Sequence, residues 1–376
     1  MIIEKSKLAN ALGVVSAVTG GRTTLPVLAS ILFEAKGNEL CLRGTDLDTT
    51  LEVRLEAAFD GDPAVLCLPA RRVRDIAVEL YGDNVEIDIE DNGAVIQTHE
   101  STQSYFRLAG FGEDDFPPFD RLSEGKEIAL IQDDLKLMLQ RVTYAVSSEE
   151  HRATLCGVSF EIKDEEVLLV ATDGRRLASA SSGPIQTPEE NRGTFILPTK
   201  ASLVLQKMLG NPDNNVTIKY DDKRAEFSFE SRNGYFVTLA VKLIEGGFPD
   251  WKNVLPEDND RKISIGRHEM LHAVKRASLM SADRVHLKLE TDTLRIESQS
   301  PDVGSAKEKI SIDYSGEGLE IAFNPVYLIE PMQVNREGTF LLEIKEKVNE
   351  DGYSNPAIIR FEGDRTMNVV MPLRAG

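Results

Sequence analysis

Three carboxylates, Asp46, Asp48 and Asp173, follow strand-like segments, where acidic side chains can act as general acid and base or hold Mg²⁺. Thr45-Asp46 and Thr172-Asp173, however, recur at matching points of a repeated pattern, and a third copy offers Gln299-Ser300 instead. A carboxylate that recurs in two copies suits a turn or strand end better than a single active site. Of the five histidines, His99, His151, His268, His272 and His286, only His268 and His272 stand at i, i+4. That spacing can bind a metal, but no metal site is expected. Cys41, Cys67 and Cys156 lie alone in apolar stretches with no CxxC spacing, as small core residues do. No phosphate-binding glycine loop, GxGxxG or GxSxG elbow occurs. The chemistry-bearing residues therefore imply no catalytic group, no cofactor and no enzyme.

The elements that carry these residues repeat. Leu197-Pro198 opens a helix-like run, followed by Asn214–Tyr220, an Asp-Asp-Lys-Arg turn, Ala225–Phe229, Tyr235–Leu239 and Gly247-Phe248-Pro249-Asp250-Trp251. Leu68-Pro69 opens the same order of parts, with Asn84–Ile89, Ala94–Thr98, Tyr105–Leu108 and Asp115-Phe116-Pro117. The preceding half repeats too: an amphipathic helix, a hairpin and Thr45-Asp46 recur as Asp133–Val146, Gly157–Ala171 and Thr172-Asp173. A fainter third copy holds a helix at Arg267–Met280, a hairpin at Val285–Ser298 and a last helix opened by Asn324-Pro325. A period of about 130 residues in a 376-residue chain predicts three similar α+β domains, each with two helices and about eight short strands. A polar insert at 349–355 breaks the third copy.

Charge is distributed unevenly. The net charge is −19, which argues against a conventional nucleic-acid binder. Yet the helix-like segments 5–17, 69–81, 132–146, 198–210, 267–280 and 324–334 together carry +6, leaving −25 elsewhere. If equivalent helices line one surface, that surface is weakly basic and holds a polyanion without tight grip, since many phosphate contacts give tight, salt-sensitive binding and few give a mobile complex. The plainer alternative is that these basic residues solvate helix faces and balance neighbours such as Asp75 and Glu79.

At Gly21–Leu28, Ala171–Leu177, Gly247–Trp251 and Val369–Arg374, in order and in phase with the repeat, the chain resembles the bacterial DNA polymerase III beta subunits, the sliding clamps. The resemblance spans the chain. It implies an α+β fold of three DNA-clamp domains, at 1–121, 126–253 and 260–376, dimerising head to tail into a six-domain ring with helices lining the central hole. It places Phe106 and Leu108 against Leu279 and Met280 of a second copy, with Arg74 near Asp302. Taken alone, Phe106 and Leu108 are equally an ordinary strand core.

The resemblance also implies a pocket for short peptide motifs, built from Thr172, Gly174, Arg175, Arg176 and Leu177, from Pro249, Asn253 and Val254, and from Val369, Val370, Met371, Pro372 and Leu373. Apolar walls with a flexible methionine suit Leu and Phe anchors. Val369–Leu373 read alone is a buried last strand. Arg175 stands where many members carry histidine and Asn253 where some carry arginine, and the chain ends on Arg374-Ala375-Gly376 and not on an apolar residue. Implied phosphate contacts, without base readout, are Arg22 and Arg152 on loops and Arg71, Arg72, Lys200, Lys207, Lys275 and Arg276 on helices. The expected partners are a second copy of the chain, duplex DNA of any sequence, the DNA polymerase III catalytic subunit, the clamp loader and other polymerases or repair proteins. No apolar run is long enough to cross a bilayer and the N-terminus lacks a signal-peptide layout, so a cytoplasmic location is expected. The alternative function is a repeat-built scaffold that binds peptides and never touches DNA.

Overall fold

The computed structural model describes residues 1–20, 25–59, 61–90, 92–98, 104–256, 259–335, 338–345 and 355–373. Arg22, His99, all of the 349–355 insert but Asn355, and Arg374–Gly376 lie outside the described residues.

Two helices and eight strands recur three times among those residues. The first set is β1 (Ile2–Glu4), α1 (Lys5–Val15), β2 (Ser30–Lys36), β3 (Glu39–Thr45), β4 (Thr49–Glu56), β5 (Ala64–Pro69), α2 (Ala70–Glu79), β6 (Asn84–Glu90), β7 (Gly93–Thr98) and β8 (Ser104–Ala109). The second is β9 (Lys126–Ile131), α3 (Gln132–Val142), β10 (Gly157–Ile162), β11 (Val167–Thr172), β12 (Arg176–Ser181), β13 (Gly193–Pro198), α4 (Thr199–Met208), β14 (Asn215–Tyr220), β15 (Arg224–Glu230) and β16 (Phe236–Lys242). The third is β17 (Arg261–Gly266), α5 (Arg267–Ala277), β18 (Val285–Glu290), β19 (Thr293–Ser300), β20 (Gly304–Ser311), β21 (Leu319–Phe323), α6 (Pro325–Val334), β22 (Thr339–Ile344), β23 (Ala357–Phe361) and β24 (Thr366–Val370).

Local sequence accounts for these elements. In α5, Met270, Leu271, Ala273, Val274 and Ala277 fall on one buried stripe at helical spacing. Asn324 caps α6, its side chain accepting from the Val326 amide at 2.9 Å, and Pro325 sits at the first helical position. In β14, Val216, Ile218 and Tyr220 alternate inward, whereas β11 is buried at every position and reads as a continuous apolar run.

The chain folds as two compact units. The first comprises 1–136, 189–191 and 200–243, the second 137–188, 192–199 and 244–376. The first holds an eight-stranded sheet ordered β5-β2-β3-β4-β16-β15-β14-β9 and a four-stranded sheet β1-β6-β7-β8. The second holds β13-β10-β11-β12-β24-β23-β22-β17 and β20-β19-β18-β21. Each eight-stranded sheet is thus two four-stranded halves joined edge to edge, at β4–β16 in one unit and β12–β24 in the other. In both, the fourth strand of one repeat meets the eighth strand of the next. The apolar cores lie between helices and sheets, with Phe33, Phe227 and Phe229 fully buried in the first unit and Phe160, Phe323 and Phe340 in the second.

Candidate functional site

The loop between β11 and β12 is built as an Asx turn. Asp173 Oδ1 accepts from the amides of Arg175 (2.8 Å) and Arg176 (3.0 Å). Thr172 Oγ1 accepts from the Gly174 amide (3.1 Å) and donates to the Arg176 carbonyl (2.6 Å). Gly174 sits at φ +85°, a conformation that costs a side-chain-bearing residue about 1–2 kcal/mol. The loop between β3 and β4 has the same bonds, from Asp46 Oδ1 to the amides of Asp48 and Thr49 and from Thr45 Oγ1 to the Leu47 amide and Thr49 carbonyl. These aspartates are turn builders, as their recurrence predicts.

Arg176 is held on every side. Its guanidinium donates to Asp173 (3.1 Å), Glu330 and the Tyr144 carbonyl (2.7 Å), and lies over the rings of Tyr144 and Tyr327. It therefore braces the loop from beneath. Arg175 is exposed, and a hydrogen bond to Tyr327 followed by nearby carboxylates pushes its pKa further up. Beside the loop, Leu168, Val170, Leu177, Trp251 and Val369 form an apolar cluster, with Phe248, Leu255 and Met367 half-buried against it. Trp251 Nε1 donates to Glu161 Oε1 at 2.6 Å, which fixes the indole over the sheet. Pro249, Asn253 and Val254 are exposed at this edge, and Met371, Pro372 and Leu373 are half-buried. The Met371 amide bonds the Arg175 carbonyl at 2.9 Å, tying the terminal strand to the loop.

Three placements bear on the expected site residues, and only the first departs from its expectation. Val370 points into the core of the last repeat among Ile265, Leu342 and Ile359, because successive strand residues face opposite ways and Val369 takes the pocket side. Arg152 lies against the loop between β11 and β12, donating to the Asp173 carbonyl at 3.4 Å and pairing with Glu149 at 3.2 Å. Phe106 is exposed on β8 and not in a core.

Among the other basic residues, Arg71, Arg72, Lys207 and Arg276 are exposed and Lys275 half-buried. Arg71 pairs with Asp75 at 3.7 Å, Arg276 with Glu308 at 2.7 Å, and Lys200 with Asp46. Leu279 is 73% exposed just beyond α5, Met280 and Leu108 are half-buried, and Asp302 is exposed in the turn before β20. Arg74 bonds Asp75 at 2.8 Å.

No metal is expected at His268 and His272 from their spacing, yet His268-Glu269-Met270-Leu271-His272 does spell HExxH on α5. The two rings lie 4.3 Å apart between centroids. The Glu269 carboxylate, however, turns back against Gly266, and among the described residues no three His, Cys, Asp or Glu side chains converge. A hydrolytic zinc needs three protein ligands.

Three family models match the chain end to end: the DNA polymerase III beta subunit N-terminal domain at 1–120, central domain at 129–250 and C-terminal domain at 252–374. The chain belongs to the DNA polymerase III beta subunit family. The beta sliding clamp of Pseudomonas putida is 30% identical over 99% of both chains, and that of Staphylococcus aureus 30% over 94% of this chain and 93% of its own. The crystal structure of the Pseudomonas aeruginosa clamp bound to griselimycin superposes with a TM-score of 0.91 at 27% identity, covering 100% of this chain and 99% of that one. As a family member the chain is a DNA sliding clamp, a processivity factor and not an enzyme. No described helix of this clamp is long and apolar enough to cross a membrane.

Trp251, Tyr144, Tyr327 and Glu330 of this clamp were missed as site residues. Trp251 closes a Phe-Pro-x-aromatic pattern that recurs at Phe116–Phe119, and Tyr327 and Glu330 stand at i, i+3 on α6, so both signals were present. Tyr144 carried none, since its role depends on meeting Arg176 and Asn368 across the fold.

Proposed function

We propose that two copies of this clamp close head to tail into a ring around duplex DNA, each contributing domains at 1–121, 126–253 and 260–376. The observation that carries this is the repeated junction rule. Fourth strands meet eighth strands at β4–β16 and β12–β24, and among the described residues one fourth strand, β20, and one eighth strand, β8, have no such mate. Joining β20 of one copy to β8 of another satisfies both edges and, by two-fold symmetry, does so twice. The exposed Phe106 and Leu279 then gain apolar cover, and Arg74 comes into range of Asp302. The basic residues of the helices, the exposed Arg71, Arg72, Lys200, Lys207 and Arg276 with the half-buried Lys275, face phosphates and give no sequence preference.

The second working surface is the loop and apolar cluster around Leu177, Trp251 and Val369, which takes Leu and Phe side chains of short peptides from polymerase, clamp loader and repair proteins. Trp251 is the one tryptophan of the chain, so its emission reports occupancy directly.

Retention on DNA tests the ring. After loading with a clamp loader and ATP, the protein stays on nicked circular DNA and runs off linear DNA. Equal retention on both would reduce the interaction to ordinary electrostatic binding, and no retention on either would favour a scaffold that binds peptides alone.

A further inference from the structure

The two sheet junctions present one set of positions twice, and strand register makes the match exact to the residue. In the first unit Arg43 pairs with Glu52, and Glu52 with Thr238. In the second, Val170 pairs with Ser179, and Ser179 with Met367. Cys41, Arg43 and Thr50 therefore stand where Leu168, Val170 and Leu177 stand in the apolar cluster, and Glu52 stands where Ser179 does. Phe119 follows Phe116-Pro117 as Trp251 follows Phe248-Pro249.

The two sets of side chains do opposite things. In the second unit the apolar residues pack into a cluster beneath the loop and Trp251 is pinned to Glu161 at 2.6 Å. In the first, Glu52 is buried and accepts from Arg43 (2.8 Å), Arg54 (2.9 Å) and Arg121. Arg121 reaches on to Glu226 at 3.5 Å. The Phe119 ring has Arg43 over it at 5.4 Å and Arg121 at 5.2 Å, so its faces are taken by guanidinium groups.

We infer that the first junction is a blocked copy of the peptide pocket, closed by Arg43, Glu52, Phe119 and Arg121, so that each chain takes a single peptide. This rests on the pocket assignment proposed above. A leucine or phenylalanine anchor entering the first junction must displace a guanidinium from a buried carboxylate, stripping Glu52 of one of the three arginines that keep its buried charge compensated. It would find Thr50 and Cys41 where the second junction offers two leucines. The shared loop geometry is thus kept while its surface chemistry is reversed.

Native mass spectrometry of the full chain with a labelled hexapeptide carrying adjacent Leu and Phe tests this. The expected result is one peptide per chain, lost in Leu177→Asp and unaffected by Thr50→Asp. Two peptides per chain in the unsubstituted protein, with one removed by Thr50→Asp, would overturn the blocked copy. Residual binding in Leu177→Asp that survives Thr50→Asp would instead overturn the pocket assignment. In the other direction, Cys41→Leu and Arg43→Val with Thr50→Leu, Glu52→Ser, Phe119→Trp and Arg121→Asn rebuilds the first junction on the second, and a second peptide per chain is expected. A folded variant, shown by a cooperative thermal transition, that still takes one peptide would refute the inference. If that variant does not fold, the Thr50→Asp comparison decides alone.

Discussion

Replacing Glu52 with glutamine keeps the shape of the side chain and removes a charge that three guanidiniums share. Burial by itself would push this carboxyl up, but hydrogen bonds from Arg43 and Arg54 and the charge of Arg121 outweigh it and hold the pKa at about 2, against an ordinary 4.5. At 1.36 kcal/mol per unit, the ionised form stabilises the fold by about 3 kcal/mol. The sign follows from the depression: the contribution is complete above pH 4.5, falls away as the pH drops from 4.5 towards 2, and is absent below. Glu52→Gln should therefore lower the thermal midpoint of the first unit at pH 7 by about 6–12 °C, at about 2–4 °C per kcal/mol. The gap between variant and parent should narrow steadily below pH 4.5. Scanning calorimetry at pH 7, 4 and 2.5 measures it, read on the transition that responds to the substitution, since a chain of this size need not unfold in one step. A gap of unchanged size across that range, or none at pH 7, would refute the view that Glu52 is held ionised by its arginines.

The same network shields Cys41, whose thiol is pushed up to about 12 by burial first and the Glu52 charge second; alkylation at pH 8 should run about a thousandfold slower than at an ordinary thiol, by mass spectrometry. Leu47 adopts φ +79° where the equivalent loop has Gly174. Leu47→Gly removes a cost of about 1–2 kcal/mol and adds about 0.5–1 kcal/mol of chain entropy, so stability should hold or rise in urea melts. Gly174→Leu should lose about 1–2 kcal/mol and displace Arg152, whose Nη1 is 3.2 Å from where a Cβ would stand. Phe106→Ser with Leu279→Ser should shift sedimentation from dimer to monomer while leaving the response of Trp251 emission to added peptide the same as in the parent. Tyr144→Phe removes the hydroxyl bonded to Asn368 and should cost about 1–3 kcal/mol, seen as an earlier melt of the second unit.

How much of this was legible before folding depends on whether a signal is local. The Pro69, Pro198 and Pro325 helix starts, the alternating strands and the recurring Thr-Asp turns are short-range, and each appears in the structure where the repeat puts it. The apolar face of the second junction was half legible: Leu177 and Val369 carry the resemblance, but Leu168 and Val170 sit in a strand buried on both sides, where no alternation says which residue faces which way. That same two-sidedness hid the inward turn of Val370.

The first junction was illegible for a different reason. Arg43, Glu52 and Arg121 read along the chain as the polar positions of alternating strands and a linker, which belong on a solvated surface. Only when β4 meets β16 does Glu52 lose its water, and only then do three arginines from separate segments become necessary to keep it charged. A repeat detected by matching residues points to what its copies share; the function of this chain rests equally on where the copies differ. Thr45-Asp46 and Thr172-Asp173 build one turn twice, and the residues on the flanking strands decide that one turn borders an apolar cluster and the other a closed ion cluster. Under the proposed pocket assignment, equivalent backbones with opposed side chains let a threefold repeat carry a single partner site per chain.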